Sequence, residues 1–139
     1  ASHTVELEQH RPQIAAAIAR GARIDVVAIP QTSHHHQLKR ELYRRARALL
    51  APVQCHEPFG LTLIEAMACG IPVIASRMGA FPEIIKQGET GFLCREKAEY
   101  LEAIDHLGDL PAGAPRADAE ARWHYVRAAG DYMKLLEAP

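Results

Sequence analysis

Two glutamates eight positions apart, Glu57 and Glu65, flank the segment Pro58-Phe59-Gly60-Leu61-Thr62, which reads as the entry to a helix. Gly60 allows close approach of a ligand to the backbone, and the amides of Leu61 and Thr62 open the helix. Helix N-termini present unpaired N–H groups and the positive end of the peptide dipole, which suits an anion such as a phosphate. A carboxylate on each flank can accept hydrogen bonds from the hydroxyls of a phosphorylated ligand. Each residue also has a plainer reading. Thr62-Leu63-Ile64-Glu65 fits the capping-box pattern, in which Glu65 only ties back the helix start. A lone loop glutamate such as Glu57 is ordinarily solvated, and a lone Phe59 is ordinarily core. Residue chemistry alone makes the segment a candidate anion site and no more, with the plainer readings left open.

The elements that must position this segment follow from periodicity. Arg11 to Arg20 carries a helical apolar stripe stopped by Gly21, and Ile24 to Ile29 reads as a buried strand closed by Pro30. After a polar loop from Gln31 to His36, apolar residues recur at helical spacing from Leu38 to Leu49 in a basic helix. Leu50 to Val53 is expected as a short strand. A loop over Gln54–Phe59 then leads to a helix from about Leu61 to Ala68, ended at Gly70. Ile71 to Ser76 is the next strand, Phe81 to Lys86 a short helix, and Thr90 to Cys94 a further strand. Glu96 to Leu107 is expected to be helical, and Pro111 to Pro115 a linker. One long amphipathic helix follows, from about Asp118 to Glu137, eased at Gly130, with Trp123 and Tyr125 as packing residues. Alternating strands and helices imply βαβ units and a parallel sheet covered on both faces. Ligands bind such sheets at the carboxyl ends of the strands, the edge at which the Val53–Gly60 loop falls.

Composition sets bounds on what the chain does. Its 139 residues suit one domain, expected over 1–139, that buries roughly 68–70% of its unfolded surface without a staple. Sixteen Lys and Arg against 17 Asp and Glu give no basis for a nucleic-acid footprint. Lys39, Arg40, Arg44, Arg45 and Arg47 are expected on a solvated helix face beside Glu41. Cys55, Cys69 and Cys94 are odd in number and lack metal-knuckle spacing, so reduced thiols and a cytoplasmic location are expected. No apolar run approaches the roughly 20 residues of a membrane span, and the first residues lack the form of a signal peptide. His34-His35-His36 cannot converge on one face, and no Cys or carboxylate pattern supports them, so no metal is expected.

Beyond single residues, the stretch from His56 to Ser76, HEPFGLTLIEAMACGIPVIAS, closely resembles the signature of the family-four retaining glycosyltransferases, two-domain enzymes of GT-B architecture. Gly79-Ala80-Phe81-Pro82-Glu83-Ile84-Ile85 and Gly88-Glu89-Thr90-Gly91-Phe92-Leu93 are similar to the next two blocks of that family. Arg44 to Pro52 resembles the helix and strand before the signature, so the likeness runs over about residues 40–95. It implies a Rossmann-like three-layer α/β/α domain with a parallel sheet, one half of a GT-B fold. It further implies that Glu57 lies against the donor sugar as the catalytic-site glutamate, and that Glu65 binds the ribose hydroxyls. Phe59, Gly60, Leu61 and Thr62 would supply backbone contacts to the sugar and diphosphate, while Glu83 would be structural. The implied reaction is transfer of a hexose-like sugar from a nucleotide-diphosphate donor with retention, without a metal. Stabilising the growing charge on the leaving phosphate is its main task. A glycosidase would instead divide acid and nucleophile roles between two carboxylates about 5–5.5 or 6.5–9.5 Å apart.

The chain departs from the family pattern in three places. Residues 1–36 are divergent or trimmed: Ala1 to Gln13 lacks the glycine-rich turn and the Arg/Lys pair that meet the diphosphate, with only Arg11 near the Lys position. Pro30 to Gln37 stands where the family has a further helix and strand. No acceptor domain precedes the resemblance, so the partners expected are a nucleotide-sugar donor and an acceptor domain or partner chain, and the chain alone is expected to bind donor without transfer. Residues 111–139 form the linker and last helix, which in the family crosses towards the partner domain and is expected to expose apolar surface. The alternative is a non-catalytic nucleotide-sugar-binding or interaction module that kept the fold.

Overall fold

The computed structural model describes residues 19–21 and 35–138. The expected helix over Arg11–Arg20, apart from its last two residues, and the expected strand at Ile24–Ile29 lie outside them, as does Arg11. The described elements run α1 (His35–Arg45), β1 (Leu49–Ala51), α2 (Leu61–Ala68), β2 (Val73–Ser76), α3 (Phe81–Ile84), β3 (Gly91–Cys94) and α4 (Lys97–Asp105). A 3₁₀ turn at His106–Asp109 then leads to α5 (Ala114–Trp123) and α6 (Tyr125–Glu137).

The three described strands form one parallel sheet in the order β1-β2-β3, with Leu49 opposite Val73 and Val73 opposite Gly91. Side chains alternate across such a sheet, and here both faces are covered. Val73, Ala75 and Leu93 join Leu63, Ile64, Ala66 and Met67 of α2, Phe81 and Ile84 of α3, Tyr43 of α1 and Ala119 of α5 in one core. Ile74 and Cys94 point the other way, into a smaller cluster with Tyr100 and Ala103 of α4. The continuous apolar run of β2 is thus the mark of a strand buried on both sides. The three-layer α/β/α arrangement expected from the sequence is the one observed.

Helix α2 has the bounds expected, because Leu, Glu, Met and Ala favour helix and because its buried positions 63, 64, 66 and 67 form one stripe. Burying a Leu or Met side chain of this kind contributes about 1.5–3 kcal/mol. Other boundaries differ for local reasons. Strand β1 occupies Leu49–Ala51 rather than Leu50–Val53, since Pro52 has no amide to extend the ladder. Strand β2 begins at Val73, not Ile71, because the Ile71 amide closes the end of α2 on the Ala66 carbonyl at 3.2 Å. Helix α3 stops at Ile84, where the Thr90 side chain takes the Lys86 amide at 3.0 Å into a turn. Helix α1 starts at His35, inside the stretch expected as loop.

The C-terminal segment is the largest correction. Pro111 to Gly113 form the expected linker, but its last two residues, Ala114 and Pro115, open α5, where the missing N–H of proline costs nothing. The single long helix is two helices, and the break falls at His124, which adopts an extended backbone (φ −70, ψ 134), while Gly130 lies within α6. Trp123 packs against the core as expected. Tyr125 does not: it is 77% exposed on α6, a helix without a buried residue. Tyr125, Val126, Tyr132, Met133 and Leu136 give α6 an exposed apolar row at i, i+7 and i+11, the exposed apolar surface expected of this last helix.

Candidate functional site

The site lies at the carboxyl edge of the sheet, where the loop after β1 meets the turn after β2. Ser76, the last residue of β2, is buried and ties the two together. Its hydroxyl donates to the Val53 carbonyl at 2.6 Å and lies 2.8 Å from the Tyr100 hydroxyl. Because Ser76 has one hydrogen, Tyr100 must donate to Ser76 in that chain. Burial pushes the Tyr100 hydroxyl up from its ordinary value, which keeps it the neutral donor required.

Further along, the turn after β2 holds the backbone of Glu57. The Ala80 amide donates to the Glu57 carbonyl at 3.0 Å, and the Glu57 amide donates to the Cys55 carbonyl at 3.0 Å. Gly79 makes this approach possible: at φ +54, a Cβ there would stand 2.4 Å from the Glu57 oxygen and 2.7 Å from its nitrogen. The Glu57 side chain is half-buried, and its carboxylate has no hydrogen-bond or ion-pair partner among the described residues.

Gly60 then caps α2 in the left-handed region (φ 91, ψ 44) and is buried against α3, where a Cβ would meet the Phe81 ring at 2.9 Å. Only glycine takes that backbone without penalty. The Gly60 carbonyl accepts from Leu63 at 3.0 Å and more weakly from Ile64, while the amides of Leu61 and Thr62 have no acceptor among the described residues. No side chain caps the helix. A pair of amides without acceptors, on the exposed residues Leu61 and Thr62 at the positive end of α2, therefore lies between Glu57 and Glu65 in sequence, an arrangement that can hold an anion.

The capping-box reading is overturned. Thr62 lies inside the helix rather than at its cap, and the Glu65 carboxylate turns away to accept from Lys39 Nζ at 2.7 Å. Lys39 accordingly does not belong to the solvated face expected of the basic helix, although Arg40, Arg44 and Arg45 do; Arg47 is exposed just beyond the helix. A signal was present: Lys39 stands one helical turn before Tyr43, which is buried in the core. Phe59 is not core either. It is 50% exposed and sets its edge against Trp123, with ring centroids 6.0 Å apart at 84°.

Trp123 is held in turn by Arg122, whose guanidinium lies 5.0 Å from the indole centroid. Arg122 also donates to Asp118 at 2.9 Å and to the carbonyls of Ile84 and Glu83, so Glu83 serves through its backbone. Sequence reasoning missed Ser76, Gly79 and Lys39, because their roles depend on contacts between segments far apart in the chain. Among the described residues no three His, Cys, Asp or Glu side chains gather as a metal site.

The three thiols differ in environment. Cys55 is exposed beside Glu57, Cys69 is half-buried, and Cys94 is buried in the second core, where burial pushes its thiol up to about 12. Alkylation with iodoacetamide at neutral pH, followed by peptide mass spectrometry, is expected to label Cys55 first and Cys94 last. Labelling of Cys94 ahead of Cys55 in the folded chain would contradict this packing.

With that geometry in view, comparison with known proteins is specific. The family described as Glycosyl transferases group 1 matches residues 10–122. N-acetyl-alpha-D-glucosaminyl L-malate synthase of Bacillus anthracis is 60% identical over 38 residues, 27% of this chain and 10% of that protein. D-inositol 3-phosphate glycosyltransferase of Mycobacterium tuberculosis is 42% identical over 80 residues, 56% of this chain and 16% of that protein. Sucrose-phosphate synthase of Thermosynechococcus elongatus superposes with a TM-score of 0.64 at 28% identity, covering 94% of this chain and 35% of that one. Anabaena HepE, solved with UDP and glucose, superposes with a TM-score of 0.62 at 26% identity over 71% of this chain and 29% of that one. The chain thus spans about a third or less of each protein it resembles. No described helix is long and apolar enough to cross a membrane. With the family matched over residues 10–122, and with a parallel α/β/α sheet like that of GT-B enzymes, the chain belongs to the glycosyl transferases group 1 family.

Proposed function

We propose that this chain binds the nucleotide-sugar donor of a retaining glycosyltransferase, at the carboxyl edge of its sheet. The observation that carries the proposal is the pinning of Glu57 by the Gly79–Ala80 turn beside the uncapped, open start of α2. In this reading the amides of Leu61 and Thr62 face the diphosphate, Glu57 lies against the sugar, and Glu65 accepts from the ribose hydroxyls. Phe59, braced by Trp123, shields the turn. Transfer breaks the bond between the anomeric carbon and the donor phosphate oxygen and forms one to the acceptor oxygen on the same face. The acceptor's proton passes to the leaving phosphate. Charge grows on that phosphate as the bond breaks, so fixed amides directed at it lower the barrier, and no metal is invoked. Binding of UDP by the HepE relative supports a nucleotide-sugar ligand.

An acceptor-binding part completes the enzyme in this proposal, and the exposed apolar row of α6 is the surface that would pack against it. The three free thiols fit a reducing, cytoplasmic setting. Calorimetric titration with UDP, GDP and ADP tests the binding claim, and micromolar to millimolar affinity for one of them is expected. A folded chain that binds none of the three would sink the proposal. Sugar transfer on mixing with an acceptor-domain partner separates an enzyme from a module that only binds.

A further inference from the structure

Lys39 sits on α1 with its Nζ 2.7 Å from Glu65 Oε2, and only about a quarter of either side chain is exposed (24% and 26%). This is not a screened surface pair, for packing covers most of both groups. Among the described residues Glu65 Oε1 accepts no hydrogen bond, and no second cation pairs with the carboxylate. The neighbouring hydroxyl does not compete. Burial first, and then the Glu65 charge, push Tyr43 up to about 12, so it stays neutral. Glu65 is therefore fixed at one oxygen and open at the other, one turn below the free amides of α2.

We propose that Lys39 positions Glu65 for ribose recognition, anchoring Oε2 so that the rest of the carboxylate meets the vicinal 2′- and 3′-hydroxyls of a nucleoside diphosphate. This rests on the donor-site reading above and names what orients the carboxylate within it. A carboxylate offers about four acceptor positions, so one ammonium hydrogen bond leaves room for both hydroxyls. Holding a flexible glutamate in place before the ligand arrives removes that ordering cost from binding. Lys39 contacts no ligand atom in this scheme and acts through Glu65.

The test uses the 139-residue chain and its Lys39→Met, Lys39→Arg and Glu65→Gln variants. Each is titrated calorimetrically with UDP, GDP and ADP and with the 2′,3′-dideoxy form of each. The wild type is expected to prefer its best ribonucleotide over the dideoxy form by about tenfold, as for a hydrogen bond to a charged group. Lys39→Met and Glu65→Gln lose most of that preference while holding the dideoxy form as before, and Lys39→Arg keeps it. A general loss of structure would weaken both ligands alike and leave the ratio unchanged. If Lys39→Met retains the full preference, or binds the ribonucleotide more tightly than wild type does, the positioning role is overturned while the donor site stands. A wild type without any ribose preference removes Glu65 from the ribose and takes the Lys39 proposal with it.

Discussion

In the proposed donor site, replacing Gly79 with alanine is expected to weaken binding of the nucleotide-sugar about tenfold while the chain still folds. The added Cβ would meet backbone atoms of Glu57 at 2.4 and 2.7 Å, and backbone cannot swing aside as a side-chain tip can. Either Glu57 or the turn after β2 must move by about an ångström, which removes a hydrogen bond from the Glu57 carboxylate to a sugar hydroxyl, on the order of tenfold in affinity. The Ala80-to-Glu57 hydrogen bond would be lost in the same movement. Gly88→Ala is the control. It too carries a positive φ (+71), but nothing lies within 4 Å of its added Cβ, so it incurs backbone strain without displacing the loop. Calorimetry with the sugar conjugate of the best-bound nucleotide, alongside circular dichroism, reads both variants. Wild-type affinity in Gly79→Ala would show that Glu57 and its loop are not held from this turn.

Asp118→Ala is expected to lower the unfolding free energy by about 2–3 kcal/mol, read as a shifted midpoint in urea with an unchanged slope. The Asp118 side chain is 4% exposed and sits between Lys86 Nζ at 2.7 Å and Arg122 Nη1 at 2.9 Å. Removing one side of a buried pair costs ~3–5 kcal/mol when the stranded charge is buried; here Lys86 and Arg122 both reach solvent, which brings the figure down. In the proposed donor site the loss should extend to nucleotide-sugar binding, because Arg122 ties α5 to the end of α3 and lies over Trp123, the brace of Phe59. Glu120→Ala, which removes an exposed pair with Arg116, should leave the midpoint essentially in place. The pH dependence has a definite sign. Lys86 is raised above its ordinary value of 10.5, chiefly by its hydrogen bond to Asp118, so the contribution is whole below that value. It fades as pH climbs through the raised folded value, and the gap between wild type and Asp118→Ala should narrow there. A variant as stable as wild type at neutral pH would contradict this account.

Much of this molecule is legible before folding. The periodicity of residues 61–68 fixes α2 to the residue, and the apolar run of Val73–Ser76 declares a strand covered on both faces. Local rules suffice there, since helix propensity, a glycine at each end and a buried stripe agree with one another. The Glu57–Glu65 segment is readable as a candidate anion site flanked by carboxylates, because the amides at a helix start follow from sequence order alone. The same rules mislead at Thr62–Glu65, where a capping-box pattern fits the letters but Gly60 already caps the helix and Lys39 claims the carboxylate. They mislead again at residues 118–137, where propensity favours one continuous helix through His124 and puts any weakness at Gly130.

What only the tertiary structure decides is which distant residue meets which. Gly79 approaches Glu57, Ser76 joins Val53 to Tyr100, Arg122 reaches the end of α3, and Lys39 crosses from α1 to Glu65. The sequence determined which groups the candidate site offers, because backbone amides and carboxylates are local properties of a turn and a helix. The fold decided the site's geometry and its supports. Contacts across 22 to 38 positions depend on how strands register and helices pack, and no pattern within a single segment encodes them.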